Sequence, residues 1–273
     1  MNLGEKEKLG IKELRPIQMT FSTPKFMLPI RLGMANALGT QDMVIYAFSK
    51  KGRVEVSNYR TLKVPTNNNI PEFIRDTFGA FYRSVFDQTW KGNKNAIFLE
   101  YAWNLSGNNF VKCDPCSTNP PTYADLKDAG VHWVTYGNEQ GRWGGGADYH
   151  GDLYFTRLHV RYDRANFPQD LDFQETPNQE NFQARYVMHI ANHEEMNCEE
   201  GERYKKTVRY RREEEIKELE KLTGWSSVNF YSYVRDWNKK MEKSNTIEDD
   251  VYGQPTTPSK KKIRRETKPK AKK

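Results

Sequence analysis

Long apolar runs are missing from this chain. No stretch of eighteen or more apolar residues occurs, so nothing in it reads as a membrane-spanning helix. The opening MNLGEKEKLG carries acidic residues and no apolar core, so it is not a secretory signal: the protein stays in the cytoplasm, or the exporting segment lies upstream. The common catalytic signatures are absent too, with no G-x-S-x-G, H-E-x-x-H or EF-hand loop. Gly137 to Gly151 is glycine-rich, yet no GK[ST] follows it and no strand–helix context fits, so it reads as a flexible loop and not as a phosphate cradle. Cysteine is scarce, at three residues in 273.

What is present suffices for one substantial core, because 36% of residues are hydrophobic and 13% aromatic, which argues against a disordered chain. The net charge of +7 invites a nucleic-acid reading, but its distribution does not support one. Ser259 to Lys273 holds nine Lys/Arg and one Glu, and without it the chain carries −1. With three prolines nearby and almost no apolar residues, this tail is expected to be disordered and to bind anions weakly through charge, without specific nucleic-acid readout.

The folded part is written in strand and turn patterns. Asp42 to Ser49 is β-branched and aromatic, Lys51-Gly52 signals a turn, and Arg53 to Val56 and Tyr59 to Val64 follow as extended runs, a grouping expected to form a hairpin or meander. Ala96 to Trp103, Leu153 to Asp163 and Phe182 to Ile190 are further strand candidates. In the second of these Tyr154, Leu158, Val160 and Tyr162 share one face, while Arg157, His159 and Arg161 share the other, a polar ladder whose guanidinium groups are candidates for anion binding. Pro71 to Trp90 repeats its aromatic residues at helical spacing, and Thr122 caps a short helix that Gly130 stops. Glu199 to Leu222 is a charged helix with a sparse apolar stripe of Tyr204, Val208, Ile216, Leu219 and Leu222, with Glu213–Lys217 as an i,i+4 pair and Gly224 as its stop. An aromatic-rich second helix from Trp225 to Trp237 is expected to fold back on its neighbour. The fold class is therefore α+β: a mainly antiparallel sheet with one or two packed helices over 1–198, a charged and aromatic helical extension over 199–245, and a disordered basic tail over 246–273.

The ordered blocks KFMLPIRLGMANA, QDMVIYAFSKKGRVEVSNYRT, FGAFYRSVFD, FLEYAW, KCDPC, TRLHVRYD, LDFQET and NFQARYV resemble the bacterial family called domain of unknown function 2330, over roughly Leu3 to Cys198. The resemblance implies an exported, extracytoplasmic protein of unassigned activity. It also implies a further N-terminal half, which this chain would lack and which, or another protein, would be its partner. His189 to His193 departs from the turn that members often carry there, and the region after Gly224 has no counterpart in the family pattern.

Cys113 and Cys116 form a C-x-x-C box, and Cys198 leaves the cysteine count odd. Three readings stay open. The box is a small structural disulfide or a pair of inert thiols, fixing the path from the Ala96 to Trp103 strand into the Thr122 helix. Or it is a redox site, although Asp114 beside the sulfurs and Asn119-Pro120-Pro121 ahead of the helix work against a low thiolate pKa. Or Cys113, Cys116 and Cys198 bind zinc with His193, or with His132 or His189, as fourth ligand. Asp163, Glu175 and Glu180 are loose acid–base candidates. The functional reading leans away from an enzyme, toward a non-catalytic structural or binding module of the cell envelope with no cofactor. The alternative is a cysteine-dependent thiol–disulfide or zinc enzyme.

Deleting Ser259 to Lys273 should leave the melting temperature unchanged and remove most binding to nucleic acid or anionic vesicles at low salt, read by melting curves and salt-dependent anisotropy. Salt-resistant binding that survives the deletion would place the basic surface in the fold instead.

Overall fold

The computed structural model describes residues 17–35, 37, 39–106, 121–137, 148–192 and 196–235. In chain order its first elements are β1 (Lys25–Leu28), α1 (Ile30–Gly33), β2 (Gln41–Ser49), β3 (Val54–Val56), β4 (Arg60–Lys63) and β5 (Asn68–Ile70). A 3-10 turn, Glu72–Thr77, then leads into α2 (Phe78–Lys91), followed by β6 (Ala96–Asn104), α3 (Tyr123–Asp128), β7 (Thr135–Tyr136) and β8 (Tyr149–His150). The last elements are β9 (Tyr154–Tyr162), β10 (Leu171–Glu175), β11 (Phe182–Gln183), β12 (Tyr186–Met188), α4 (Glu199–Thr223) and a 3-10 turn at Ser227–Phe230. This is the α+β class with mostly antiparallel pairing and a helical C-terminal region.

β6 is the middle of the main sheet. β9 runs antiparallel along one side of it, and β2 pairs antiparallel with β9 at the sheet edge. Two strands share the other side of β6: β4 lies parallel to Ala96–Leu99, and β11 antiparallel to Tyr101 and Ala102. A second sheet, β1-β10-β3, is wholly antiparallel, and β12 pairs parallel with β5. The hairpin or meander expected over 42–64 is therefore corrected. All three strands form, but β2 goes to β9, β3 to β10 and β4 to β6. The turn after β2 carries the chain from one sheet into the other: Ser49 donates to the Gly52 carbonyl, and Arg53 N donates to Asn178 O at 2.8 Å. The single strand expected over 182–190 is likewise two, because after Gln183 the backbone leaves β6 and Arg185 N turns to the Thr66 hydroxyl.

The alternation of β9 sets the layers. Tyr154, Thr156, Leu158, Val160 and Tyr162 are buried, and with Leu99 and Ala102 of β6 they meet Val54, Val56, Leu171 and Phe173 of the small sheet. Burying each such large apolar side chain contributes about 1.5–3 kcal/mol. The opposite face carries α2, whose Phe86 packs edge-on against Phe98 at 5.4 Å. Phe81 and Val85 continue this packing into a second cluster with Ile70, Ile74, Leu219 and Leu222. The apolar stripe of α4 thus lies against α2 and β5. The expected Glu213–Lys217 pair is replaced by a Glu214–Lys217 bridge of 2.7 Å, with Glu213 taken by Arg209. Both helix stops are as read: Gly130 and Gly224 have φ of 84° and 71°, and Thr122 caps α3 in a reciprocal box with Asp125.

Gly52 is the tightest point of the sheet-to-sheet turn, since a Cβ there would meet backbone oxygens of Asn178 at 2.5 Å and Thr176 at 2.8 Å. Neither neighbour is a flexible side-chain end. Gly52→Ala should therefore destabilise the fold by roughly 1–3 kcal/mol in urea unfolding, whereas Gly79→Ala, with open space around it, should stabilise or be neutral.

Candidate functional site

The β6 run AIFLEYAW contains one charged residue among apolar ones, and the pairing slips at that residue. Leu99 faces Leu158 and Tyr101 faces Arg157, so Glu100 is an extra residue in the ladder. A bulge of this kind puts two successive side chains on one face. Glu100 thereby points to the α2 side of the sheet, where only 3% of its side chain is exposed.

A buried carboxylate is costly unless donors meet it, and here they do. His159 Nδ1 lies 3.0 Å from Oε1, Arg157 Nε lies 2.8 Å from Oε2, and the Tyr82 hydroxyl of α2 hydrogen-bonds to the same group. Burial alone would raise the carboxyl of Glu100. The hydrogen bonds from His159 and Tyr82 and the charge of Arg157 outweigh it and hold the group below its ordinary value. With the carboxylate ionised, Nδ1 of His159 carries the proton it shares, which leaves Nε2 facing Asp42 at 3.5 Å. Burial, then the charge of Glu100, pushes the hydroxyls of Tyr82 and Tyr186 far up, so both remain protonated donors.

α2 closes this network. The Phe86 ring stacks on the His159 imidazole with centroids 3.7 Å apart, and Trp90 Nε1 donates to the Arg161 carbonyl at 3.2 Å. Arg161 bridges Asp42 of β2 and Asp87 of α2 at 2.7 and 2.6 Å, and its guanidinium lies over Phe86 and Trp90. The three polar residues of β9 read from the sequence are therefore brought together, and each faces a carboxylate of the fold: Glu100 for Arg157, Glu100 and Asp42 for His159, Asp42 and Asp87 for Arg161. The missed members are Glu100, Tyr82, Asp42 and Asp87. The lone Glu inside an apolar strand was the one local sign of them.

A second buried carboxylate belongs to α4. Glu215, at 1% exposure, accepts from the Tyr233 hydroxyl at 3.2 Å and has Arg211 at 3.4 Å. Burial pushes its carboxyl up despite Tyr233, Arg211 and Arg212. Arg212 ties α4 to Glu72 and to the Tyr233 carbonyl, and its guanidinium lies over the Tyr233 ring at 4.0 Å.

The remaining sequence candidates are dispersed. Cys198 is a free, exposed thiol that caps α4 by accepting from Gly201 N at 3.4 Å. Cys113, Cys116 and His193 lie outside the described residues, as do the tail and most of the glycine-rich loop. His189 faces Asn69 at 3.2 Å and His132 is exposed. Among the described residues no three His, Cys, Asp or Glu side chains gather as a metal group. Asp163 accepts from Ala165 N and Asn166 N, Glu175 from Lys50 N and Lys51 N, and Glu180 from Lys63. Each of these carboxylates serves a local turn or ion pair.

The sequence over residues 4–174 matches a known family, described as an uncharacterized protein conserved in bacteria (DUF2330). The chain belongs to that family. No curated protein and no solved structure matches it. The match ends within β10, short of the Cys198 limit read from the motifs, so β11, β12 and α4 pack onto the matched part from beyond it. No helix among the described residues is long and apolar enough to cross a membrane.

The two buried carboxylates should respond to pH with opposite sign. Glu100, depressed in the fold, contributes stability that is present above its ordinary 4.5 and is lost as pH falls below it. Glu215, raised in the fold, contributes stability that is full below 4.5 and is lost as pH rises through its folded value. In melting curves over a pH series, Glu100→Gln should lower the melting temperature at pH ~7, with the gap narrowing in acid, while Glu215→Gln should raise it at pH ~7 and converge with the parent in acid.

Proposed function

We propose that this chain is a non-catalytic structural or binding module of an exported bacterial cell-envelope protein, working with a protein partner. The observation that carries the non-catalytic part is the enclosure of Glu100. Its carboxylate is met by His159, Arg157 and Tyr82, all residues of the fold, which join β6 and β9 to α2. A carboxylate held ionised has no proton to give near neutrality, and one with almost no exposed surface is poorly placed to take one from a bound molecule. What it does supply is a fixed orientation between helix and sheet, which a binding module needs. The export part is supported by family resemblance, and the anion affinity expected of the basic tail is compatible with it.

Two measurements test the proposal. Tyr82→Phe removes one hydrogen bond from Glu100 with little change of shape, so a structural role predicts a loss of about 1–2 kcal/mol. A gain of stability instead would mark a group kept for chemistry at the expense of stability, and would overturn the non-catalytic reading. For location, the tagged product of the natural gene should fractionate with periplasmic or secreted proteins in a bacterial host. Retention in the cytoplasm would overturn the envelope assignment.

A further inference from the structure

We propose that two copies of this chain pair through the free edge of β2, antiparallel and centred on Tyr46, to continue the main sheet across a two-fold axis. This rests on the geometry of the edge and is independent of the envelope reading. β2 is nine residues long and ends the main sheet, with β9 as its single strand partner among the described residues. A row of unpaired backbone groups on such an edge is a template for another strand unless charge, proline or a bulge blunts it. Gln41–Ser49 contains no proline, pairs with β9 without a slip, and carries Asp42 as its one charge.

Side chains choose the occupant and the register. Tyr101 and Phe155 lie 5.7 Å apart and Phe155 and Tyr46 6.0 Å apart, so a row of aromatic rings crosses from β6 over β9 to β2 and stops at Tyr46, which is 58% exposed beside an exposed Val44. In an antiparallel pair of identical strands, directly opposite residues share a face. Centring the pair on Tyr46 places this ring against its own copy and carries the aromatic row on into the second sheet. The same register sets Val44 opposite Phe48 of the second copy and brings Asp42, near the start of β2, toward Lys50 in the turn that follows Ser49, an acidic start against a basic end. Asp42 keeps half of its side chain exposed beside Arg161, and Lys50, lying over Trp133, is exposed too. Centring on Ile45 would instead set Asp42 against Phe48. Centring on Ala47 would set Val44 against Lys50, and a half-step register would put opposite faces together. An isologous pair of this kind closes on itself and removes both edges.

The full chain should sediment at twice its 32.0 kDa. Tyr46→Lys, which sets like charges face to face on the axis, should weaken the dimer roughly hundredfold, and Val44→Lys should weaken it as well, both with melting curves still cooperative. Tyr46→Cys should form an interchain disulfide on mild oxidation far faster than Val44→Cys or the parent chain, because on the two-fold axis a residue meets itself. The proposal is overturned if the parent chain is a monomer, if its dimer is indifferent to both lysine variants, or if Val44→Cys cross-links as readily as Tyr46→Cys.

Discussion

Everything in this fold depends on β6 changing partner halfway along its length. Its first half accepts a parallel strand, β4, and its second half an antiparallel one, β11, on the same side. The exchange happens at Glu100: Val64 N donates to the carbonyl of Leu99, and Ala184 N to that of Glu100. On the other side the pairing with β9 slips at the same residue. A carboxylate is thereby delivered beneath α2, where it would be prohibitively costly without donors. Tyr82, Arg157 and His159 come from two further elements to meet it, so the polar network is a consequence of the backbone irregularity and at the same time what makes it tolerable.

That network divides the α2 face of the main sheet in two. On one side, His159 and Arg161 are covered by Phe86 and Trp90 and tied to Asp42 and Asp87. On the other, Phe155, Tyr101, Trp103 and Tyr46 form an aromatic row that ends at the sheet edge. Arg157 marks the boundary, with its Nε on Glu100 and its guanidinium over Tyr46. Helix placement and edge chemistry are thus coupled through one side chain. α4 adds a second layer on α2, and there too a buried carboxylate, Glu215, sits among arginines and a tyrosine. Burial prevails at Glu215 and is outweighed at Glu100, because Glu215 has one side-chain hydrogen bond, from Tyr233, and the charge of Glu72 nearby, whereas Glu100 has hydrogen bonds from both His159 and Tyr82.

Local pattern carried much of this. The β-branched and aromatic runs locate β2, β6 and β9 to within a residue or two, since period-two alternation is imposed by a half-covered sheet wherever it occurs. The caps at Thr122, Gly130 and Gly224 are local backbone chemistry and were equally readable. Pairing was not. β2, β3 and β4 look like a meander because short turns separate them, yet each finds its partner a long way off in sequence, at β9, β10 and β6, where complementary apolar faces are available. The polar face of Arg157, His159 and Arg161 could be read, but not what it faces.

The sequence by itself determined the long strands β2, β6 and β9, the helices α2, α3 and α4, the apolar and polar faces of β9, the concentration of basic charge in the tail, and family membership. All of these are encoded by neighbours along the chain. Only the tertiary structure decided that Glu100 is an inserted residue, that α2 delivers Tyr82 and Phe86 to it, and that β2 is left at an edge. These follow from which strands meet across long loops, and loop-closure entropy rises too slowly with length for the turns to dictate that choice. It is made by burial summed over the whole core.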